Sequence, residues 1–114
     1  MLDNPGDILR NKTYHYFFMH LANPLKVNII LYLRKGDKSV SEICKELKVE
    51  QSKVSHALAN LKACNIVEAN HKGKQRIYSL NKKTIVPMLK LIDKHAHTYC
   101  RKNCKFCSKF KSRC

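Results

Sequence analysis

Residues 39–80, SVSEICKELKVEQSKVSHALANLKACNIVEANHKGKQRIYSL, decide the fold of this chain. The stretch opens with Ser39 and Glu42 at the spacing of a capping box, in which each side chain bonds the other residue's backbone N–H. Apolar residues then recur at i, i+3, i+4 and i+7, which is the period of one buried helix face. These residues are Val40, Ile43, Cys44 and Leu47. We therefore predict a helix that begins just after Ser39 and ends near Leu47.

A second helix is predicted from about Glu50 to Ala63, and its apolar stripe has the same period. Its opposite face carries short or cationic side chains that can donate to phosphates and base edges. These candidate DNA-binding residues are Gln51, Ser52, Lys53, Ser55, His56 and Asn60. No acid occurs from Gln51 to Val67, whereas a merely solvated helix face usually alternates acids and bases. A plain helical bundle is the alternative, but the pattern favours a helix-turn-helix whose second helix enters a major groove.

Two short strands are predicted directly after this helix, at Ile66–Asn70 and Gln75–Leu80. The connecting residues 71–74 (HKGK) include Gly73, which can supply the positive φ that a hairpin turn needs. The hairpin adds His71, Lys72, Lys74 and Arg76 to the candidate DNA-binding residues.

A basic hairpin that follows a recognition helix is a wing. The predicted fold class is therefore mainly α with a small β-hairpin (α+β). We expect a winged helix-turn-helix with the order α-α-α-α-β-β-α and a long C-terminal helix.

Four stretches of this chain resemble the motifs of the ArsR/SmtB family of arsenic- and metal-responsive repressors. They are residues 21–26 (LANPLK), 42–47 (EICKEL), 51–61 (QSKVSHALANL) and 73–80 (GKQRIYSL). The resemblance spans about residues 14–97. It implies a homodimer whose first and last helices form the interface and whose two recognition helices address two half-sites on DNA.

The metal sites of the resembling family do not transfer cleanly. The arsenic-type site has two or three cysteines in and just before the first helix of the helix-turn-helix, where this chain has Cys44, with Ser39 and Ser41 at the other places. The zinc-type site has an Asp and a His at the start of the last helix, where Lys82 and Thr84 stand here. We expect both familiar sites to be absent.

A different cluster of metal-binding residue types lies at the end of the chain. The candidate ligands are Cys100, Cys104, Cys107, Cys114 and His97. Thiolates and imidazoles suit zinc or another soft metal ion, and an unbroken helix could not wrap four of them around one ion. Such a site would need a helix break near Asn103 or cysteines from two subunits. Redox thiols, or a basic tail whose cysteines do little, remain open alternatives.

The composition agrees with one small domain. The chain has 114 residues, 44% of them hydrophobic, and a formal net charge of +15, which attracts polyanions such as nucleic acid. No apolar run is long enough to span a bilayer, and the polar N-terminus does not resemble a signal peptide. We expect a cytoplasmic protein without a membrane partner, whose six cysteines are thiols or metal ligands rather than disulfides.

The predicted domain organisation has three parts. Residues 1–7 are a flexible N-terminus, 8–99 a winged helix-turn-helix DNA-binding domain with dimerising first and last helices, and 100–114 a basic Cys-rich tail. The first helix is expected from about Ile8 to Leu21, with an aromatic stripe that includes Tyr14 and Phe18 and packs on the last helix or a second subunit. The last helix is expected to begin near Pro87.

These features together predict a sequence-specific DNA-binding transcriptional regulator, by default a repressor. It would bind double-stranded DNA as a homodimer and respond to a metal or an oxidant through its C-terminal cysteines. The rival is an RNA-binding or architectural winged-helix protein without an effector. We predict no enzyme and no small-molecule substrate, because the sequence has no Gly-rich phosphate loop, Ser/His/Asp set or paired carboxylates.

Overall fold

The computed structural model describes the backbone of residues 5–100 and the side chains of residues 11–100. The helices are α1 Pro5–Ala22, α2 Pro24–Leu33, α3 Val40–Leu47, α4 Gln51–Ala63 and α5 Ile85–His95, and a π-helical turn follows at Ala96–Cys100. The strands are β1 Lys38–Ser39, β2 Val67–Lys72 and β3 Gln75–Leu80. The boundary between two compact units falls after Leu80, so α1 to β3 and α5 with its π turn are described separately.

The predicted winged helix-turn-helix is confirmed, with one strand more than expected. The short strand β1 pairs antiparallel with β3, with Lys38 opposite Tyr78 and Ser39 opposite Ile77. The sheet order is therefore β1-β3-β2. Two residues cannot display the alternation by which a strand is recognised in a sequence, so β1 becomes visible through its pairing alone.

The core of the first unit is built by the apolar faces of α2, α3 and α4 and by the base of the wing. Its most completely buried side chains are Ile29, Ile30, Ile43, Val54, Leu58, Leu61, Ile66 and Val67. The stripes predicted for the two helices of the helix-turn-helix supply half of them. Burial of apolar surface on this scale is the main stabilising contribution in a small domain.

Helix α3 is fixed at both ends by hydrogen bonds that backbone N–H groups donate. At its start the Glu42 N–H donates to Ser39 Oγ at 3.2 Å, and the Ser39 N–H donates to Glu42 Oε1 at 3.0 Å. The predicted capping box is thus confirmed. The bond from the Ser39 backbone lowers the pKa of the Glu42 carboxyl. At its end Lys48 takes a left-handed φ of 56°, and the Val49 N–H donates to the Cys44 carbonyl at 3.3 Å.

Helix α4 ends in a Schellman motif. Asn65 has a left-handed φ of 58°, its N–H donates to the Lys62 carbonyl, and the Ile66 N–H donates to the Leu61 carbonyl, both at 2.9 Å. Asparagine tolerates this conformation, and the accompanying apolar contact is supplied by Leu61 and Ile66, which are fully buried. Asn65 therefore stops the helix and directs the chain into β2.

The wing is a regular two-stranded hairpin with a tighter turn than predicted. Strand β2 extends through Lys72, which pairs with Gln75, so the turn consists of Gly73 and Lys74 rather than residues 71–74. Gly73 has the expected positive φ, 66°. His71 and Lys72 therefore lie in the ladder, with His71 opposite Arg76.

Helix α1 begins at Pro5, three residues before the predicted start. Three of its aromatic side chains are largely exposed: Tyr14, Tyr16 and Phe18 are 58–60% exposed. The Tyr14 and Phe18 rings stack with centroids 6.4 Å apart, and Phe17 meets Phe18 edge-on at 5.9 Å. The packing of this stripe on the last helix or on a second subunit stays a prediction.

Helix α5 begins at Ile85, and Pro87 lies in its first turn, where its missing N–H breaks no bond. The Asn81 side chain accepts bonds from the Lys83 and Thr84 N–H groups at 2.9 and 3.3 Å and so anchors the residues before it. Leu91 and Tyr99 are two-thirds exposed. Among the helices within residues 5–100, none has the length and apolar character needed to cross a membrane.

Candidate nucleic-acid interface

The exposed face of α4 is mostly polar, with Ala59 and Ala63 as its apolar residues. The apolar residues Val54, Ala57, Leu58 and Leu61 are at most 4% exposed, so the helix is fixed with its other face outward. Of the residues predicted to bind DNA, Gln51, Ser52, Lys53, Ser55 and His56 are exposed, and Asn60 is half-buried. A helix with one buried apolar stripe and an outer face of donors has the surface that major-groove recognition requires.

The start of α4 differs in one respect from the prediction. Glu50 is the N-cap residue rather than the first residue of the helix, and its side chain makes no capping bond. It accepts instead a hydrogen bond from Ser52 Oγ at 3.3 Å. The Ser52 hydroxyl would therefore have to exchange this partner before it could donate to a phosphate or a base.

The wing places its four predicted contact residues on exposed positions. His71, Lys72, Lys74 and Arg76 are all exposed, while Tyr78 at the base of the same strand is buried. The Arg76 guanidinium lies 5.7 Å from the centroid of the Tyr78 ring, which is cation–π range. Arg76 is thus held against a fixed aromatic ring at the side of the wing that faces α4.

A groove of about 710 Å³ runs between α4 and β3. It brings together three predicted contact residues from separate parts of the sequence, Gln51 and Ser55 of α4 and Arg76 of β3. The remaining predicted residues do not line it. Its lining contains two cations and no acid. The full lining is Val40, Gln51, Ser55, Ala59, Lys62, Ala63, Arg76 and Tyr78.

Sequence reasoning missed Lys62 and Tyr78 as parts of this surface. Lys62 is exposed and lies seven residues, two helical turns, after Ser55. The helical period therefore contained the signal that places Lys62 on the same face. Tyr78 could not be assigned to the groove from the sequence, because its contact with Arg76 depends on the twist and pairing of the wing.

The candidate metal ligands lie mostly outside the described residues. His97 and Cys100 belong to the π-helical turn, whereas Cys104, Cys107 and Cys114 fall outside residues 5–100. Within residues 5–100, no group of three or more His, Cys, Asp or Glu side chains is arranged to hold a metal ion. Cys44, the one cysteine at the arsenic-type positions, is half-buried on α3.

Comparison with known proteins places the helix-turn-helix in a family. Residues 23–69 match the family model described as bacterial regulatory protein, arsR family. The HTH-type transcriptional repressor SmtB of Mycobacterium tuberculosis is 34% identical over 80 residues, 70% of this chain and 53% of the relative. The chain belongs to the ArsR family. The matched segment runs from the cap of α2 into β2 and so contains the whole helix-turn-helix.

A second relative is similar over a comparable length of the chain. A probable mercury resistance operon repressor of Streptomyces lividans is 27% identical over 75 residues, which are 66% of this chain and 60% of that protein. The chain spans about half the length of the SmtB relatives it matches.

A solved structure extends the likeness in fold beyond the helix-turn-helix. The homodimeric winged helix-turn-helix DNA-binding domain of a possible ArsR-family regulator from Mycobacterium bovis superposes with a TM-score of 0.75 at 20% identity. The match covers 84% of this chain and 89% of that domain. The winged-helix architecture is therefore common to both, wing and flanking helices included.

Proposed function

We propose that this ArsR-family chain is a transcriptional regulator that binds duplex DNA with the exposed face of α4 and the wing. The observation that carries the proposal is the groove in which Gln51, Ser55 and Arg76 meet without any acid in its lining. A formal net charge of +15 adds a long-range attraction to polyanions. Two of the relatives are named as repressors, which supports repression as the mode of regulation.

Phosphates and bases are assigned to different side chains. Lys53, Lys72, Lys74 and Arg76 are exposed cations, which suit sequence-independent phosphate contacts, and Lys62 and His71 join them. The base-reading residues lie near the start of α4, where a recognition helix approaches base edges. They are Gln51, Ser52, Ser55 and His56, and the half-buried Asn60 follows one helical turn later.

A homodimer is the proposed binding unit. Both units have exposed apolar surface that a second copy could cover. This surface consists of the aromatic rings on α1 and of Leu91, Ile92 and Tyr99 in the second unit. The Mycobacterium bovis domain with this fold is homodimeric. In this proposal residues 8–99 form the dimerising DNA-binding domain, and two copies of α4 address two half-sites.

An effector site is proposed for the basic tail, residues 100–114. Cys100, Cys104, Cys107, Cys114 and His97 are a donor set of thiols and an imidazole, which suits zinc or another soft metal ion. A name among the relatives refers to mercury resistance, which supports a soft-metal signal. The test is metal analysis of the native protein together with DNA titrations with and without a chelator. Unchanged DNA affinity and melting temperature after metal loss would leave the tail as an electrostatic arm.

DNA binding is tested first by selecting the best-binding duplex from a random pool. The affinity of the protein for this duplex is then measured by fluorescence polarisation at several salt concentrations. Arg76→Ala should weaken binding to every duplex alike and reduce the salt slope by about 0.9, the value for one lost phosphate contact. Lys90→Ala removes an equal charge from an exposed position on α5 and serves as the matched control. Equal effects of the two changes would contradict the assigned surface.

Sequence reading is tested with Gln51→Ala on a panel of single-base variants of the selected duplex. The loss should appear at one base pair and amount to about 1–3 kcal/mol of discrimination. A structured RNA of equal length is the competitor that separates the rival function. If the RNA displaces the DNA at equal concentration, the protein is an RNA-binding or architectural protein instead.

A further inference from the structure

Side chains from α1, α2 and the C-terminal cap of α4 form a hydrogen-bonded cluster. Lys26 Nζ of α2 lies 3.0 Å from His20 Nδ1 of α1, and His20 Nε2 lies 3.0 Å from the sulfur of Cys64, the residue that caps α4. Cys64 is exposed, and its sulfur contacts His20. The cluster ties α1 to the end of α4 across 44 positions of sequence.

The partners of His20 determine where its proton lies. A lysine ammonium has donors and no acceptor, so Nδ1 must accept from Lys26. Burial, and then the charge of Lys26, lowers the pKa of His20, which is therefore neutral at pH 7. A neutral imidazole that accepts at Nδ1 carries its hydrogen on Nε2. His20 accordingly donates an N–H to the sulfur of Cys64.

This proton arrangement disfavours a metal ion at the cluster. A metal ligated by Nε2 needs the lone pair of that nitrogen, and the proton would have to move to Nδ1. There it would face the Lys26 ammonium at 3.0 Å. The cluster instead offers an exposed sulfur nucleophile with a hydrogen-bond donor beside it, which is the setting of a modifiable thiol.

We propose that Cys64 is an oxidation site for small hydroperoxides. The sulfur attacks one peroxide oxygen, an S–O bond forms and the O–O bond breaks. The sulfur is oxidised to a sulfenic acid, the departing oxygen is reduced, and it takes up the thiol proton and leaves as water when the oxidant is hydrogen peroxide. His20 is a positioning residue, because its Nε2–H holds the Cys64 sulfur through the 3.0 Å hydrogen bond.

Oxidation would loosen the link between α1 and α4. The new S–O bond changes the charge and shape of the sulfur that His20 contacts at 3.0 Å, so the existing hydrogen bond cannot persist unchanged. Cys64 is also the C-cap of α4, and its N–H donates to the Asn60 carbonyl at 3.3 Å. A change at this residue therefore acts on the end of the helix to which the proposed function assigns base reading.

The test uses reduced full-length protein, hydrogen peroxide and excess dimedone, which traps sulfenic acids, followed by tryptic mass spectrometry. Cys64 and Cys44 fall in different tryptic peptides, so each sulfur is followed separately. Cys64 should be labelled first, and His20→Leu should slow its labelling about tenfold, the effect of one lost hydrogen bond. His15→Leu is the matched control on the same helix and should leave the rate unchanged.

Other results overturn the proposal. Labelling of Cys64 no faster than that of the half-buried Cys44, or equal rates in the His20→Leu and His15→Leu variants, would show that the cluster does not promote oxidation. A metal ion that protects Cys64 until a chelator is added would replace the proposal with a metal site. Melting curves of both variants establish that each is folded before its rate is compared.

A second measurement connects the modification to DNA and rests on the proposed function. Peroxide should weaken DNA binding by the unmodified chain several-fold, whereas Cys64→Ser should keep its affinity under the same treatment. Equal loss in both proteins would exclude Cys64 as the cause. If the chain binds no DNA, the labelling experiment still decides the oxidation proposal, so the two failures are distinguishable.

Discussion

Helices α1 and α4 expose opposite kinds of surface. In α4 the residues of the apolar stripe are at most 4% exposed, and the outer face is mostly polar and free of acid. In α1 the rings of Tyr14, Tyr16 and Phe18 are more than half exposed. An apolar patch of this kind on a small domain marks a surface that another protein covers, whereas an exposed row of donors and cations suits a polyanion.

This difference in exposed surface indicates that the two helices have different roles. Helix α4 contributes to stability with one face and leaves the other free for a ligand. The described side chains of α1, residues 11–22, contribute little buried surface, and the proposed function assigns the exposed aromatic residues to a dimer interface. Changes on each face of each helix should therefore affect different measurements.

The largest effect is expected from the buried face of α4. Leu58 is 0% exposed, and Leu58→Ala should lower the free energy of unfolding by about 2–5 kcal/mol, because it removes buried methyl groups and leaves a cavity. Urea denaturation followed by circular dichroism measures the loss. Leu91→Ala, at a position 67% exposed, should change the stability by less than about 0.5 kcal/mol. Similar losses would mean that burial does not distinguish these positions.

Substitutions on the exposed aromatic face of α1 should affect self-association of the chain instead. Phe18→Ser should weaken self-association by at least about 30-fold, the effect of removing one aromatic anchor worth about 2 kcal/mol. Sedimentation equilibrium over a range of concentrations measures the change. Leu31→Ser removes another exposed apolar side chain, from α2, and should leave association intact. A monomeric unmodified chain at all concentrations would remove the role proposed for α1.

The polar face of α4 should matter for DNA and not for folding. Ser55→Ala should reduce discrimination between duplexes by about 1–3 kcal/mol, because a base-edge donor is lost. The same change at an exposed position should alter the free energy of unfolding by less than about 0.5 kcal/mol. Both quantities are measured on one protein preparation. A variant that loses stability and keeps its DNA preference would reverse the roles given to the two faces.

The smallest effect concerns the link between the two helices. The pKa of His20 is lowered from 6.5 in the folded chain, so the unfolded chain binds the proton first as the pH falls. The stability that neutral His20 contributes is therefore present above about pH 6.5 and is lost as the pH falls through the lower folded pKa. The melting temperature of the unmodified chain should fall more between pH 7.5 and 5.5 than that of His20→Leu. His15→Leu, as control, should keep the full pH dependence.

Much of the fold was predictable because its signals are local. The capping box of Ser39 and Glu42, the stop at Asn65 and the positive φ of Gly73 each depend on a few neighbouring residues. The apolar stripes of α3 and α4 follow from the helical period. Local propensity could not fix the tight wing turn, since strand pairing extends β2 by two residues, through His71 and Lys72.

The sequence by itself determined the helix-turn-helix, the wing and the acid-free character of the α4 face, because these follow from residue type and spacing. The tertiary structure alone decided which distant residues meet. It joined Lys38 to Tyr78 in the sheet, Gln51 to Arg76 in one groove, and His20 to Cys64 at 3.0 Å. Such contacts depend on how packed elements are oriented, and no pattern within a short window of sequence encodes that orientation.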